Sequence, residues 1–347
     1  MKTRTLVTII ILLSIVFLLS AIEYTYAKYW PTKKWKTSTP EKQAMNSSQL
    51  QQINEYVKEK LPATRSVLVV RNGFVVFEEY YTGDQDDRGT LWSATKSVTS
   101  ALIGIALEKG YLDSIDQKMV DFFPEFETEA LNPQVREITI RHLLTMTAGF
   151  GHDSMGLSNP DHIGTMLESQ LQTAPGQVFA YNSTSSNLLS MIITKATGMT
   201  ALEFGESYLF EPLGISNLDW TDIFGYTIGS QSLSMTTRDM AKVGYLYLNE
   251  GIWGKRQIIP KEWVEESTQT QVEVPNNEQV IDEDYGYQWW TLSVNGHSAY
   301  TAWGYNGQHI YVIPDLDIVI VITATMGGNT AKYLSIVDKF VVPAVMN

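Results

Sequence analysis

A serine and a lysine three positions apart stand at the start of a predicted helix. Ser93 and Lys96 lie within residues 91–97, and the apolar spacing that follows them, ending near Gly110, is typical of a helix. Positions i and i+3 share one helix face, so the Lys96 amine can reach the Ser93 hydroxyl and, when neutral, accept its proton. Backbone N–H groups left free at a helix N-terminus favour a developing oxyanion. The pair therefore indicates a serine nucleophile that attacks a carbonyl carbon.

The spacing by itself has an ordinary alternative. About one Ser-x-x-Lys is expected by chance in a chain of this length, and Ser93/Lys96 is the only one in the sequence. A serine at a helix start beside a solvated lysine would give the same pattern. The catalytic interpretation also requires Lys96 to lose its charge near neutral pH, through burial or a nearby positive charge.

The elements that would position this pair follow a clear order along the chain. Helical periodicity precedes two β-rich runs, which meet at the hairpin dipeptide Asn72-Gly73. A long, mostly helical stretch follows, and strands return only near the C-terminus. The predicted runs are a helix around 53–61, strands at 66–70, 74–81, 287–292, 309–313 and 318–323, and a closing helix at 331–342.

Strands at both ends of the chain with helices between them predict an α+β fold. The antiparallel sheet would be built from both chain termini and flanked by helices, with a mostly helical insertion at about 91–284. We expect one catalytic domain over residues 47–347, with the active site where the sheet and the insertion meet.

The N-terminus predicts contact with a membrane. Lys2 and Arg4 precede an uncharged run over residues 6–22, which fits a signal peptide or a membrane anchor. We expect residues 1–27 to be one of these two, followed by a Lys/Pro/Ser/Thr-rich spacer at 28–46. An uncleaved segment would contact the membrane through residues 6–22. The catalytic domain is then expected outside the cytoplasmic membrane, whether secreted, periplasmic or anchored.

The composition of the chain excludes several classes of partner and cofactor. A net charge of -13 without a basic stripe argues against nucleic acid as a partner. The absence of cysteine removes disulfides, thiolate catalysis and Cys-based metal sites. No Gly-x-Ser-x-Gly supports a Ser-His-Asp triad, and the five histidines lack metal-like spacing, so we expect no metal and no organic cofactor. The histidines are His142, which we assign to a structural helix start, and His152, His162, His297 and His309.

Four segments resemble the serine β-lactamase and penicillin-binding-protein superfamily. The resemblance is to its class C-like branch, which includes esterases, D-aminopeptidases and 6-aminohexanoate-dimer hydrolases. It spans roughly residues 66–323, and the motifs are highly specific in type and order. The family fold, an antiparallel sheet from both termini beside a helical region, agrees with the strand pattern. The segments that carry the resemblance are residues 91–97, 138–149, 175–181 and 285–290.

The resemblance implies a catalytic role for Tyr181, which takes the position of the family's catalytic tyrosine. Its phenol would exchange protons with Ser93, Lys96 and the leaving group, whereas the alternative is a buried structural tyrosine. The family's Tyr-x-Asn ends here in Ser183, a variant that also occurs in 6-aminohexanoate-dimer hydrolase-like members. Ser183 is shorter than asparagine and has no amide, so its expected substrate contact must differ.

The family's third motif, Lys/His-x-Gly, aligns best with residues 302–304, where Ala302 replaces the cation. That cation helps to hold the substrate carboxylate in β-lactamases and transpeptidases, so Ala302 argues against penicillin or D-Ala-D-Ala as the main substrate. The backbone role survives the change. Gly304 permits close approach of the substrate, and the N–H groups of Tyr305 and Ser93 can form an oxyanion hole.

The expected reaction is a two-step acyl transfer to Ser93 on a small ester, amide or short peptide, with water releasing the acyl group. Trp92 and Trp303 flank the nucleophile and the oxyanion strand, where they either line an apolar substrate pocket or simply pack. Two alternatives stay open. One is β-lactamase, D-Ala-D-Ala carboxypeptidase or D-aminopeptidase activity. The other is a non-catalytic relative that binds a peptide or cell-wall fragment.

Overall fold

The computed structural model describes residues 29–126, 131–151, 171–275, 282–326 and 330–346. The compact unit from Pro31 to Asn347 holds all the elements given below. The predicted signal peptide or anchor, residues 1–27, lies outside the described residues, as do His152 and His162. Within the described ranges, no helix is long and apolar enough to cross a membrane.

A seven-stranded antiparallel sheet forms the frame of the domain. The first two strands come from the N-terminal part of the chain and the other five from the C-terminal part. This is the predicted sheet built from both ends of the chain. Its strands are β1 (Thr64–Arg71), β2 (Phe74–Tyr80), β10 (Glu283–Tyr285), β11 (Trp290–Val294), β12 (His297–Gly304), β13 (Gln308–Ile313) and β14 (Ile318–Ala324).

The hairpin predicted at Asn72-Gly73 joins β1 to β2. Both residues have positive φ, 51° and 78°, which is the backbone of the type I′ turn that matches the twist of the flanking strands. On its other side β1 pairs with β14, from Thr64 opposite Ala324 to Arg71 opposite Ile318. In the sheet order β10-β11-β12-β13-β14-β1-β2, the two ends of the chain therefore meet between the fifth and sixth strands.

The helices lie mostly between β2 and β10, as the insertion predicts. The segment over 201–213 is one continuous run with a π-helical turn at Glu206–Phe210, and a second π turn, Val337–Val341, extends the closing helix. The helices are α1 (Ser47–Lys60), α2 (Thr95–Glu108), α3 (Ile140–Leu144), α4 (Ser183–Thr197), α5 (Ala201–Gly205), α6 (Glu211–Leu213), α7 (Thr237–Leu248), α8 (Lys261–Ser267) and α9 (Thr330–Ile336).

The insertion also contains short strands, which the sequence patterns do not predict. They make one three-stranded sheet in the order β3-β7-β4 and two small hairpins. These strands are β3 (Arg88–Thr90), β4 (Leu218–Asp219), β5 (Asp222–Ile223), β6 (Tyr226–Thr227), β7 (Ser234–Thr236), β8 (Ile252–Trp253) and β9 (Arg256–Gln257).

Helices cover both faces of the large sheet. On one face, α1 and α9 bury their apolar residues against a single core with side chains of β1, β13 and β14. On the other face, α7 lies so close to the sheet that a Cβ on Gly244 would come within 2.6 Å of Val319 and 2.7 Å of Ile310. Since side chains alternate between the faces of a strand, the apolar runs in β13 and β14 reflect burial on both sides.

Residues 31–46 pack on the domain instead of forming the spacer predicted at 28–46. Trp35 is buried, and its indole N–H donates to the carbonyl of Arg238 at 3.0 Å. The same ring meets Tyr245 edge to face, with centroids 5.5 Å apart. Lysine, proline and threonine dominate the composition of this segment, but its tryptophan supplies a large apolar surface that favours docking. The domain therefore begins before Ser47.

Candidate active site

Ser93 lies in a 3-10 turn, Trp92–Ala94, that leads directly into α2. The residue before Ser93 has an unusual backbone conformation. Trp92 has φ 50°, and its side chain is 37% exposed. A left-handed conformation in a residue other than glycine costs about 1–3 kcal/mol and persists only where the surroundings impose it. The backbone is thus strained immediately before the predicted nucleophile, while Ser93 itself is partly accessible.

Lys96 is buried, with 1% of its surface exposed, and its amine lies among oxygen atoms. Its Nζ is 3.3 Å from Ser93 Oγ, 3.5 Å from Ser183 Oγ and 2.9 Å from the carbonyl oxygen of Ser230. A solvated lysine at the start of a helix, the ordinary alternative for this spacing, does not describe this residue. Burial also removes the water that would otherwise solvate its charge.

Tyr181 and Ser183 come from the chain that enters α4. The Asn182 side chain caps this helix by accepting from the Ser185 N–H, and its own amide donates to the Ala180 carbonyl at 2.7 Å. These bonds fix the turn on both sides of the cap. The Tyr181 ring is consequently held with its centroid 5.2 Å from Lys96 Nζ. The structure brings together four predicted site residues, Ser93, Lys96, Tyr181 and Ser183.

Aromatic side chains form a wall beside these groups. Tyr181 stacks on Trp290 with centroids 5.5 Å apart, and Tyr285 meets the Tyr181 ring at 90°. Trp303 packs on Trp290 at 5.4 Å and joins the same buried cluster. Burial raises the pKa of the Tyr285 phenol well above its usual value, with a further contribution from Tyr181. Tyr285 therefore stays neutral.

The predicted oxyanion strand is β12, which ends at Gly304 next to the nucleophile turn. A Cβ at Gly304 would lie 2.0 Å from the carbonyl oxygen of Leu91, so only glycine allows this approach. Tyr305 follows, 66% exposed, and meets Trp92 edge to face with centroids 5.7 Å apart. Ala302 is 1% exposed and pairs with Ile310 across the sheet. Position 302 therefore offers no cation to a substrate.

The patterns in the sequence give no strand over 283–285 or 297–304, although the resemblance implies one at 302–304. The burial of β12 explains the omission, because four consecutive residues, Ala299–Ala302, are buried and the two-residue alternation is lost. The order of side chains in β12 mixes polar, small and aromatic types. The relation of this strand to Ser93 is therefore predicted from the resemblance alone, and not from the residue pattern.

Gln288 is a structural anchor for the site that its sequence motif does not reveal. It is buried with φ 63°. Its backbone carbonyl accepts from Ser97 Oγ at 2.7 Å, its side-chain oxygen accepts from Ser186 Oγ at 2.6 Å, and its amide donates to the carbonyls of Leu143 and Leu144. Gln288 thus ties together three helices that carry or flank the site, α2 through its backbone carbonyl and α3 and α4 through its side chain.

The histidines in the described ranges are His142, His297 and His309. His142 closes a capping box with Thr139 at the start of α3, the structural position expected for it, and burial is the main cause of its lowered pKa. His309 is fully buried, and burial lowers its pKa to about 3. His297 pairs with Asp315 at 2.5 Å. In the described ranges no group of three or more His, Asp or Glu side chains is arranged to bind a metal ion.

Comparison with known proteins identifies the family to which this chain belongs. The family model described as beta-lactamase matches residues 53–335, so the chain belongs to the beta-lactamase family. It is 25% identical over 288 residues to the 6-aminohexanoate-dimer hydrolase of Paenarthrobacter ureafaciens, covering 74% of this chain and 71% of that protein. It is 24% identical over 150 residues to esterase EstB of Burkholderia gladioli, covering 38% of each protein.

A solved structure supports the fold independently of these sequence matches. The octameric penicillin-binding protein homologue from Pyrococcus abyssi aligns with a TM-score of 0.69 and 22% identity, covering 84% of this chain and 77% of that one. The predicted α+β fold and the superfamily resemblance are therefore confirmed.

Proposed function

We propose that this chain is a serine hydrolase that cleaves an ester or amide bond through an acyl group carried on Ser93. The observation that carries the proposal is the burial of Lys96 with its amine 3.3 Å from Ser93 Oγ. A hydroxyl becomes a useful nucleophile when an adjacent base accepts its proton, and a buried amine at this distance can do so. The names of the hydrolase and esterase relatives agree with this reaction class.

Contacts of Lys96 Nζ with the oxygens of Ser93, Ser183 and Ser230 support a defined path for the proton. A protonated lysine has three N–H donors and no acceptor, whereas the neutral amine has two donors and one lone pair. The Ser230 carbonyl can only accept, so it takes one N–H in both states. If Ser183 Oγ accepts the second N–H, the lone pair of the neutral amine can accept a hydrogen bond from the Ser93 hydroxyl. Attack then transfers the Ser93 proton to Lys96.

The remaining roles follow from position and resemblance. Tyr181, held beside Lys96, would return the proton to the leaving group. The N–H groups of Ser93 and Tyr305 would stabilise the oxyanion where β12 reaches the nucleophile turn. Water would then release the acyl group by the same proton path in reverse. The proposed chemistry uses only side chains and backbone groups of this chain.

The substrate side of the site favours neutral, partly apolar acyl groups. Ala302 supplies no cation for a carboxylate, and the wall of Tyr181, Trp290 and Trp303 offers aromatic contact. We therefore propose linear esters or amides as substrates, and rank β-lactams and D-Ala-D-Ala peptides below them. One relative is named as a 6-aminohexanoate-dimer hydrolase.

Covalent labelling tests the nucleophile. A fluorophosphonate probe should label the wild-type chain and fail to label Ser93→Ala, while the matched control Ser48→Ala, at an exposed position of α1, should label normally. Lys96→Met keeps an unbranched buried chain and should slow labelling about 10²–10⁴-fold. A wild-type chain that never labels would indicate a non-catalytic binding protein.

A hydrolysis panel tests the substrate class. The wild-type chain is expected to cleave p-nitrophenyl esters or short linear amides faster than nitrocefin or D-amino-acid peptides. Turnover of nitrocefin without esterase or amidase activity would contradict the proposed substrate class. It would not contradict the proposal that Ser93 is the nucleophile.

We also propose that the reaction takes place outside the cytoplasmic membrane, on the basis of residues 1–27. Fractionation of cells that express the full chain should find the activity outside the cytoplasm, and deletion of residues 2–27 should retain it inside. Activity of the full chain in the cytoplasmic fraction would overturn this proposal.

A further inference from the structure

Residues 227–230, here called the tethered segment, run past α2 and α4 on the way to the Lys96 amine. Each of its four consecutive carbonyls accepts a hydrogen bond from a side chain elsewhere in the domain. The donors are Ser190 Oγ to Thr227 (2.6 Å), Trp220 Nε1 to Ile228 (2.8 Å), Thr99 Oγ1 to Gly229 (2.8 Å) and Lys96 Nζ to Ser230 (2.9 Å). Side chains thus fix a piece of backbone that largely lacks regular secondary structure.

The peptide group between Gly229 and Ser230 is held at both of its polar atoms. Its carbonyl accepts from Thr99 on α2, and its N–H donates to Asn187 Oδ1 on α4 at 3.0 Å. Thr99 and Asn187 are buried, with 0% and 4% exposure. The N–H requires an acceptor, so the oxygen and not the nitrogen of the Asn187 amide faces it.

Close packing prevents this peptide from moving toward α4. A Cβ at Gly229 would lie 2.4 Å from the carbonyl oxygen of Ser186 and 2.6 Å from the Cβ of Ser190. The backbone of the tethered segment therefore rests directly on the helix. The next carbonyl along the chain is that of Ser230, which accepts from Lys96.

We propose that Thr99 and Asn187 are positioning residues for Lys96, an inference that rests on the proposed function. They hold the Ser230 carbonyl where it takes one N–H of the amine in both protonation states. The other positions around Nζ are thereby directed at Ser93 and Ser183. Neither residue is needed to touch the substrate. A displaced Ser230 carbonyl would let the amine rotate, and the lone pair would then point toward Ser93 for a smaller fraction of the time.

The test is the pair Thr99→Val and Thr99→Ser. Valine keeps the branched shape and removes the hydroxyl, whereas serine keeps the hydroxyl. We expect Thr99→Val to lower kcat for a p-nitrophenyl ester about fivefold to tenfold with KM unchanged, since one hydrogen bond is lost behind the base. Thr99→Ser should restore most of the loss. Asn187→Leu, which removes the acceptor for the Ser230 N–H, should lower kcat in the same way.

Ser190→Ala is the matched control, because it removes a similar hydroxyl-to-carbonyl bond three residues before Ser230. It should lower the melting temperature about as much as Thr99→Val and leave kcat within about twofold of wild type. Wild-type kcat in both Thr99→Val and Asn187→Leu would overturn the inference, as would an equal loss of kcat in Ser190→Ala. Failure of the proposed function gives a different result, because the wild-type chain would then neither label nor turn over ester.

Discussion

Tyr181 and Trp290 stack with ring centroids 5.5 Å apart and planes inclined by 27°. Trp290 begins β11, whereas Tyr181 precedes α4, so the contact joins the large sheet to the helical insertion. The stack involves the face of the tyrosine ring and not the hydroxyl. Packing and proton transfer can therefore be separated at this one residue.

Tyr181→Phe should keep the stack and lose the phenol. We expect kcat to fall about 10²–10⁴-fold, the usual range for a proton-transfer group, while the melting temperature changes little. Steady-state kinetics and thermal melts measure the two effects. Tyr285→Phe, which alters a neighbour in the same wall, is the control and should retain most of the activity. A fully active Tyr181→Phe would assign the residue to structure.

Replacement of Trp92 separates backbone strain from the aromatic ring at the mouth of the site. Trp92→Gly and Trp92→Ala both remove the indole that meets Tyr305, so both should raise KM for apolar esters. Glycine adopts φ 50° freely and alanine does not, so Trp92→Ala should unfold with a free energy about 1–2 kcal/mol lower than Trp92→Gly. Urea titrations measure this difference. Equal stabilities would show that the positive φ is not retained.

Gly304→Ala should disrupt the contact between β12 and the nucleophile turn. Its methyl group would lie 2.0 Å from the Leu91 carbonyl oxygen, and Leu91 is held from the other side by its N–H bond to Leu233 at 2.7 Å. We expect at least an approximately tenfold lower kcat, because the oxyanion donors separate. The control is Gly110→Ala, where φ is 72° but a Cβ meets no atom within 4 Å. It should cost about 1–2 kcal/mol of stability and leave kcat unchanged.

His309 makes the stability of the fold depend on pH. Burial lowers its pKa to about 3 in the folded chain, against about 6.5 when unfolded. The unfolded chain therefore binds the extra proton first, so the stability present above about pH 6.5 decreases as the pH falls toward 3, by up to about 1.4 kcal/mol per pH unit. The rings around His309 are those of Trp303, Tyr311 and Tyr333.

His309→Phe should flatten this part of the pH dependence. Urea unfolding from about pH 7 to pH 4 would give a shallower slope for the variant than for the wild-type chain. Tyr311→Phe is the control, because burial raises the pKa of Tyr311 and keeps it neutral throughout this range. It should shift the stability at every pH by a similar amount. Parallel slopes for His309→Phe and wild type would contradict the buried, neutral state of His309.

The features that local spacing determines could be predicted from the sequence. Ser93 and Lys96 share a helix face, and Asn72-Gly73 makes its own turn, so short-range geometry was sufficient for both. The sheet built from both ends followed from where the β-rich runs fall. The predicted closing helix at 331–342 matches α9 and its π-helical extension, although the pattern does not show the change of helix type at Val337.

The features that depend on distant parts of the chain could not be predicted in this way. The Ser230 contact to Lys96 is made by a backbone carbonyl, which carries no residue identity. The residue type of Trp92 disfavours a positive φ, so the sequence gives no sign of it. β12 lacks the alternating pattern of a strand because it is buried on both faces. In each case tertiary structure overrides the local pattern.

The pairing of β1 with β14 has a consequence for folding during synthesis. Thr64 lies opposite Ala324, so nearly the whole domain is synthesised between the two partners. The turn that carries Ser93 and the helix that follows it leave the ribosome long before β12 is synthesised, and the sheet is completed only when β14 follows. Such non-local pairing slows folding. A nascent or C-terminally truncated chain would therefore present the serine without its oxyanion strand, and hydrolytic activity should appear only after release of the finished chain.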